Sequence, residues 1–416
     1  MFSHRMLRSS PAFLVGLCLC LVSSVAAFFG PPRVVGQEVI DVLEGFQVRH
    51  TQNFPSNVVG LGGLDFTSDG DIVVYDGGEL LLIDKTGTAK RLASFGAETF
   101  GSFVVLAPSG DAVIVAESTN QGIYEVPLAG GAPQQIDTLS FAFDLVFDSE
   151  GRGFVSAPAT DSVGNQIFLL DHDPGVETPN PPLVVDIPGF SGPVAFDDEG
   201  RLYYGTVDFD ASSQKIVRFS TGQIDTALSG TPASFNDAEV VLSEIDSVFD
   251  MVFAHNSLLY SDLGFSANEG RIWRLDGDDN FRESLLVSLS ADETLPSPSY
   301  LAYHSGSVGF HRGVGIGGGT LAVAYSNFST LNRVTFVVPQ RFFVRGEVNG
   351  DGSVDFSDAI WILFYLLLGG AEPDPLEAAD IDGSGEVDSN DAILLLQHLF
   401  LGGPAPAAPY PEPGAV

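Results

Sequence analysis

From about Val39 to Val338 the chain alternates short apolar runs with acidic, glycine-bearing turns. Leu64-Asp65-Phe66-Thr67-Ser68-Asp69-Gly70 leads into Ile72-Val73-Val74-Tyr75, and Val104-Val105-Leu106-Ala107-Pro108-Ser109-Gly110 into Val113-Ile114-Val115. Leu145-Val146-Phe147-Asp148-Ser149-Glu150-Gly151 leads into Gly153-Phe154-Val155, and Val194-Ala195-Phe196-Asp197-Asp198-Glu199-Gly200 into Leu202-Tyr203-Tyr204. A fifth copy joins Met251-Val252-Phe253 to Leu258-Leu259-Tyr260, and a looser sixth joins Tyr300-Leu301-Ala302-Tyr303 to Leu321-Ala322-Val323-Ala324-Tyr325. Runs of this length and composition read as strands, and the Asp, Ser and Gly between them suit tight hairpins. A third strand follows in each of the first five units, such as Gln166 to Leu170 and Arg271 to Leu275.

The turn glycines 70, 110, 151 and 200 are spaced by 40, 41 and 49 residues, and the later units are longer. About four strands per unit at such a period predicts an all-β six-bladed β-propeller over residues 38–338. Closure into a ring removes the exposed edges of the blades. The segment Glu38 to Val48 is expected to supply a strand that closes the ring with the last blade. A pair of β-sandwiches is the competing arrangement. The repeats resemble, in architecture, the six-bladed propellers of the lactonase and NHL-like group.

Beyond a short linker at 339–344 the pattern changes. Glu347-Val348-Asn349-Gly350-Asp351-Gly352-Ser353-Val354-Asp355-Phe356-Ser357-Asp358 follows the twelve-residue calcium loop. Oxygen donors fall at positions 1, 3, 5, 9 and 12, with Gly at 6 and an apolar residue at 8. Calcium takes six to eight oxygens, and alternate residues of a tight loop can all point inward. The expected ligands are the side chains of Glu347, Asn349, Asp351, Asp355 and Asp358, with the carbonyl of Ser353. A second copy lies 33 residues on, from Asp380 to Asp391. Its ligands are the side chains of Asp380, Asp382, Ser384, Asp388 and Asp391, with the carbonyl of Glu386. Each loop precedes an apolar helix, Ala359 to Leu368 and Ala392 to Leu401. Each helix ends in Leu-Gly-Gly, where glycine permits a left-handed stop.

Two loops in register, each feeding a helix with the same ending, resemble a dockerin type I module over residues 345–403. That resemblance implies a small all-α calcium-binding domain with two Ca²⁺ sites. It also implies a cohesin-like partner in extracellular, polysaccharide-degrading assemblies. Asp in place of Glu at position 12 (Asp358, Asp391) fits the family. Departures from it are Glu347 at position 1, Phe356-Ser357 and Ser389-Asn390 at positions 10 and 11, and the apolar series Trp361, Phe364, Tyr365 and Leu368. The alternative is a module whose calcium only stabilises its own fold. The Pro/Ala-rich tail, 404–416, is expected to be extended and solvated.

The first 27 residues read as a signal peptide: His4, Arg5 and Arg8, then an apolar stretch from Pro11 to Val25, then Val25-Ala26-Ala27 at the cleavage site. An uncleaved anchor helix is the alternative. Cys18 and Cys20, the chain's two cysteines, lie inside this segment, so the exported product has no thiol chemistry and no disulfides. The expectation is a secreted protein that is not held in a membrane. The net charge of −36, from 54 acidic and 18 basic residues, argues against nucleic-acid binding.

Chemistry in the propeller is sparse in sequence. Asp144 and Asp250 share a register at the start of inner strands of the third and fifth units, where lactonase-like propellers hold a catalytic divalent ion. Asp65 is a third candidate, out of register. The competing reading is Asp capping a strand or turn. His50, His172, His255, His304 and His311 show no metal-ligand spacing, and Gly315 to Gly319 lacks the rest of a phosphate loop. The propeller therefore reads as a recognition domain for a carbohydrate or small-molecule ligand. Its alternative is a hydrolase or lyase acting on carbohydrate or lactone.

Overall fold

The computed structural model describes residues from 39 to 415 apart from short stretches, the longest being 171–180 and 306–319. Six sheets, antiparallel but for one short parallel pairing of Val184-Val185 with Ala233-Ser234, follow one another along the chain, one per sequence unit. Their innermost strands are Leu61–Phe66, Gly101–Leu106, Asp144–Phe147, Val194–Phe196, Asp250–Ala254 and Ser297–His304. The turn glycines 70, 110, 151 and 200 all take positive φ, between 76° and 79°. That conformation carries little penalty without a Cβ. In the third and fourth blades the turn is further tied by an arginine. Arg152 Nε donates to Asp148 at 2.7 Å and Arg201 Nε to Asp197 at 2.6 Å. The acidic turn residues thus hold hairpins.

Period-2 alternation sends one face of each blade to the blade before it and the other to the blade after it. The core is accordingly divided into six clusters, each shared by two neighbours. Val73 and Tyr75 of blade one pack with Val113 and Val115 of blade two. Blade six returns to blade one through Ala322, Ala324 and Phe336 against Leu64, Ile72 and Val74. The ring is closed by packing and by strand pairing.

The closing strand is Phe46–Phe54, which pairs antiparallel with Asn332–Pro339 as the outermost strand of blade six. The expected segment, Glu38 to Val48, overlaps it only at its end. Val39–Val42 instead extends blade five, pairing with Arg282–Ser290. Both segments form strands, and the edge each one meets decides its place. A helix that the strand pattern did not predict, α1 (Thr221–Leu228), lies inside blade four. Ser220 caps it with Gln223 in a reciprocal capping box, and Ile224 and Ala227 bury its apolar side. This insertion accounts for the longer fourth unit.

The C-terminal module has two helices, α2 (Phe356–Leu368) and α3 (Ser389–Leu401). Both begin three residues earlier than expected, because Asp355 and Asp388 cap them and Asp358 and Asp391 complete capping boxes. Both end on a left-handed glycine, Gly369 and Gly402. Val348, Ala359, Ile362, Ala379, Ile381, Ala392 and Leu395 form the core.

The tail is packed, contrary to the expectation from its composition. Phe342–Phe343 pairs with Gly414–Ala415. Ala407 donates to the Ile381 carbonyl at 2.9 Å, and His398 Nε2 bonds the Tyr410 hydroxyl at 2.9 Å. Proline keeps its carbonyl as an acceptor, and the Arg345 amide takes that of Pro409 at 2.7 Å. Deleting 404–416 is expected to destabilise the module by about 2 kcal/mol, since the Arg345 N–H loses its buried acceptor and three further bonds go with it. A calorimetric melt with the module's transition unmoved would contradict this.

Candidate functional site

The calcium loops turn through glycines at positions 4 and 6. Gly350, Gly352, Gly383 and Gly385 all have φ between 73° and 89°. The loops then organise themselves through backbone amides. Asp391 Oδ1 accepts from Ile381 at 2.7 Å, and Oδ2 from Asp388 at 2.8 Å. Asp358 repeats this with Val348 and Asp355, at 2.7 and 2.8 Å. Position 12 therefore pins the helix N-terminus to the start of its own loop.

Asp380, Asp382 and Asp391 offer carboxylate oxygens that all lie within 4.8 Å of one another. Among the described residues this is the one place where three such groups converge. Asp391 is buried, and burial together with the charge of Asp382 raises its carboxyl pKa. Anionic groups crowded in this way fit a hard divalent cation, which would relieve the repulsion. In the first loop Asn349 replaces an acid at position 3, so that loop brings fewer anions together. Glu347 nevertheless reaches the position-6 amide: its Oε1 accepts from Gly352 at 3.2 Å, as Asp380 Oδ2 accepts from Gly385 at 3.1 Å. Ser384 and Asp382 lie in the second loop as expected, linked by the Ser384 amide to Asp382 at 3.0 Å.

Sequence reasoning missed Arg345. It is buried, its guanidinium donates to the carbonyls of Glu377, Asp380 and Ala408, and it lies 3.4 Å from the Asp380 carboxylate. It ties the start of the module, the second calcium loop and the tail together.

In the propeller, Asp144 and Asp250 line one axial cavity of about 320 Å³, and Asp65 joins them. The three act alike. Asp144 accepts from its neighbour Leu145 and from Val194 of blade four, both at 2.8 Å. Asp250 accepts from Met251 and from Leu301 of blade six, both at 2.7 Å. Asp65 accepts from Phe66 at 2.7 Å and from Leu106 of blade two at 2.8 Å. Each carboxylate of an odd blade thus stitches it to the next, even blade. Asp65 sits one two-residue repeat further along its strand. The pair Gly62-Gly63 signals why. A Cβ on Gly63 would lie 2.3 Å from the Val104 amide, so glycine lets blades one and two touch backbone to backbone. The strand register shifts there, between Leu61 and Leu64.

These carboxylates face the channel yet lie deep among protein atoms. Burial raises Asp65 to about 6 and Asp144 to about 7, and burial plus the charge of Asp144 lifts Asp250 well above the carboxylate range. Among the described residues their oxygens do not converge within 4.8 Å as those of Asp380, Asp382 and Asp391 do. Phe143 and Phe249 meet edge to face at 5.6 Å, although blades three and five are not neighbours. Tyr300 joins Phe249 at 5.3 Å. That aromatic contact crosses the axis beside the acidic pair. His304 faces Asp65 electrostatically, and His50 packs 6.1 Å from Phe336. His172, His255, His311, Gly315 to Gly319 and the signal segment lie outside the described residues.

Fold and loops together define the class: a six-bladed propeller joined to a duplicated calcium-loop module. Residues 345–400 match the dockerin type I domain. A dockerin domain implies calcium binding and docking to a cohesin. The chain is similar in fold to a gluconolactonase from Xanthomonas campestris, with a TM-score of 0.50 at 13% identity, over 74% of this chain and 99% of that one. It is also similar to the PQQ-bound aldose sugar dehydrogenase of Streptomyces coelicolor, with a TM-score of 0.49 at 15% identity, again over 74% and 99%. At such identities the likeness is one of architecture. A search of curated proteins found no sequence relative.

Proposed function

We propose that this chain is an exported propeller whose C-terminal dockerin module attaches it, through calcium, to a cohesin-bearing extracellular partner. The observation that supports this most is the repeated loop-and-helix unit, with the same position-12 clamp in each half. The module binds two calcium ions in this reading. Glu347, Asn349, Asp351, Asp355 and Asp358 with the Ser353 carbonyl hold the first. Asp380, Asp382, Ser384, Asp388 and Asp391 with the Glu386 carbonyl hold the second. Export rests on the basic, apolar and small-residue order of the first 27 residues. Among the described residues no helix is long and apolar enough to cross a membrane.

The propeller serves as the recognition part, with carbohydrate or a related small molecule as its ligand class. A hydrolase reading needs a metal-competent cluster at one channel mouth. Among the described residues Asp65, Asp144 and Asp250 do not converge as Asp380, Asp382 and Asp391 do, and aromatic rings cross the axis beside them.

Immobilised cohesin modules should retain the full chain in millimolar calcium and release it in chelator. Retention that is equal in both, or absent in both, would overturn the docking reading.

A further inference from the structure

The two halves of the module repeat in sequence but not in surface. On α2, Phe356, Ile360, Phe364, Leu367 and Leu368 are exposed, with Leu367 at 70% and Leu368 at 73%. Their spacing places them on one side of the helix, opposite the buried Ala359 and Ile362. The equivalent line on α3, 33 residues later, reads Ser389, Ile393, Gln397, Phe400 and Leu401. Polar groups replace the two aromatic rings, so the ridge is broken. The tail also lies along α3, where Tyr410 meets His398.

Charge narrows the partner. Thirteen Asp and Glu follow Arg345, and no Lys or Arg does. Arg345 itself is buried and bonded. The module surface therefore presents no fixed cation, and its acids outnumber the charge of two divalent ions. Glu372 stands exposed at the C-terminal end of the ridge. An interface with an apolar centre and a charged rim gains from the opposite sign on the other side.

We infer that the α2 ridge alone is the docking face, and that its partner offers an apolar patch rimmed by lysine and arginine. This rests on the docking reading above. The α3 face is not a second, equivalent way to dock, because Ser389 and Gln397 interrupt it.

The test uses the calcium-loaded full chain and two sets of cohesin modules, one with basic and one with acidic rims around an apolar patch. Calorimetry should show binding to the basic set, weakening as salt rises. Leu367→Glu and Phe364→Glu should each lower affinity by about 100-fold, the scale of a central apolar anchor. Phe400→Glu, the α3 counterpart of Leu367→Glu, should change it by no more than about threefold, because α3 lies outside the docking face. All three sites are exposed, so a circular dichroism spectrum checks that the variants fold. Preference for acidic rims, or equal damage from Phe400→Glu, overturns the inference while leaving docking intact. If neither set binds the folded module, docking itself fails. A dimer in sedimentation that Leu367→Glu abolishes would assign the ridge to a second copy instead.

Discussion

Chelating calcium is expected to unfold residues 345–403 and leave the propeller's melting transition where it was. The module's core is seven buried apolar side chains. A single core in so small a domain rarely supplies more than about 3–5 kcal/mol. Against it stand the clustered acids of two loops, with Asp380, Asp382 and Asp391 converging in the second. Without a cation that repulsion opposes folding directly. Calcium that binds only the folded loops adds about 4 kcal/mol at a thousandfold excess over Kd. Titrating calcium into the chelated chain should restore the helical far-ultraviolet signal of α2 and α3. Asp391→Ala should prevent that recovery in its half, since it removes both a ligand and the amide clamp of that loop. A helical signal that survives chelation unchanged would refute the account.

Asp144→Ala is expected to cost the propeller about 3 kcal/mol, because the Leu145 and Val194 amides lose their shared acceptor in the wall of the channel. Asp198→Ala, on the exposed tip of a hairpin, should cost less than about 0.5 kcal/mol. The pH dependence has a defined sign. The unfolded chain ionises these groups near the ordinary carboxylate value. The folded chain holds their protons until about pH 6 for Asp65 and about 7 for Asp144. Between those limits the unfolded state binds fewer protons, so stability falls as pH rises. Asp144→Asn should flatten part of that decline. Chemical denaturation of the propeller from pH 4 to 8 reads both effects. A steeper decline in Asp144→Asn, or no loss in Asp144→Ala, would contradict the stitching role.

Much of this was legible in the chain because it depends on short-range rules. A hairpin needs a left-handed glycine at its turn, and Gly70, Gly110, Gly151 and Gly200 marked four of the blades. A calcium loop needs alternate oxygens and a bend, and residues 347–358 and 380–391 show both within twelve positions. What was misread lay where partners are distant. Tail composition suggested solvated chain, yet the Arg345 amide and guanidinium reach the tail carbonyls of Pro409 and Ala408 across the module. Asp65 looked out of register because the pairing of its strand with Ile72–Asp76 shifts between Leu61 and Leu64, which the alternation of apolar residues does not reveal.

The sequence by itself determined six strand units, their turns, and two calcium loops with their helices, since each is set by residues a few positions apart. Only the tertiary structure decided that Phe46–Phe54 closes the ring with Asn332–Pro339 and that three channel carboxylates bind neighbouring blades. It alone showed that the apolar ridge of α2 stands exposed while the tail lies along α3. These depend on which edges and amides meet in space, and a buried N–H donates to whatever oxygen the fold brings to it, however far away that oxygen lies in the chain.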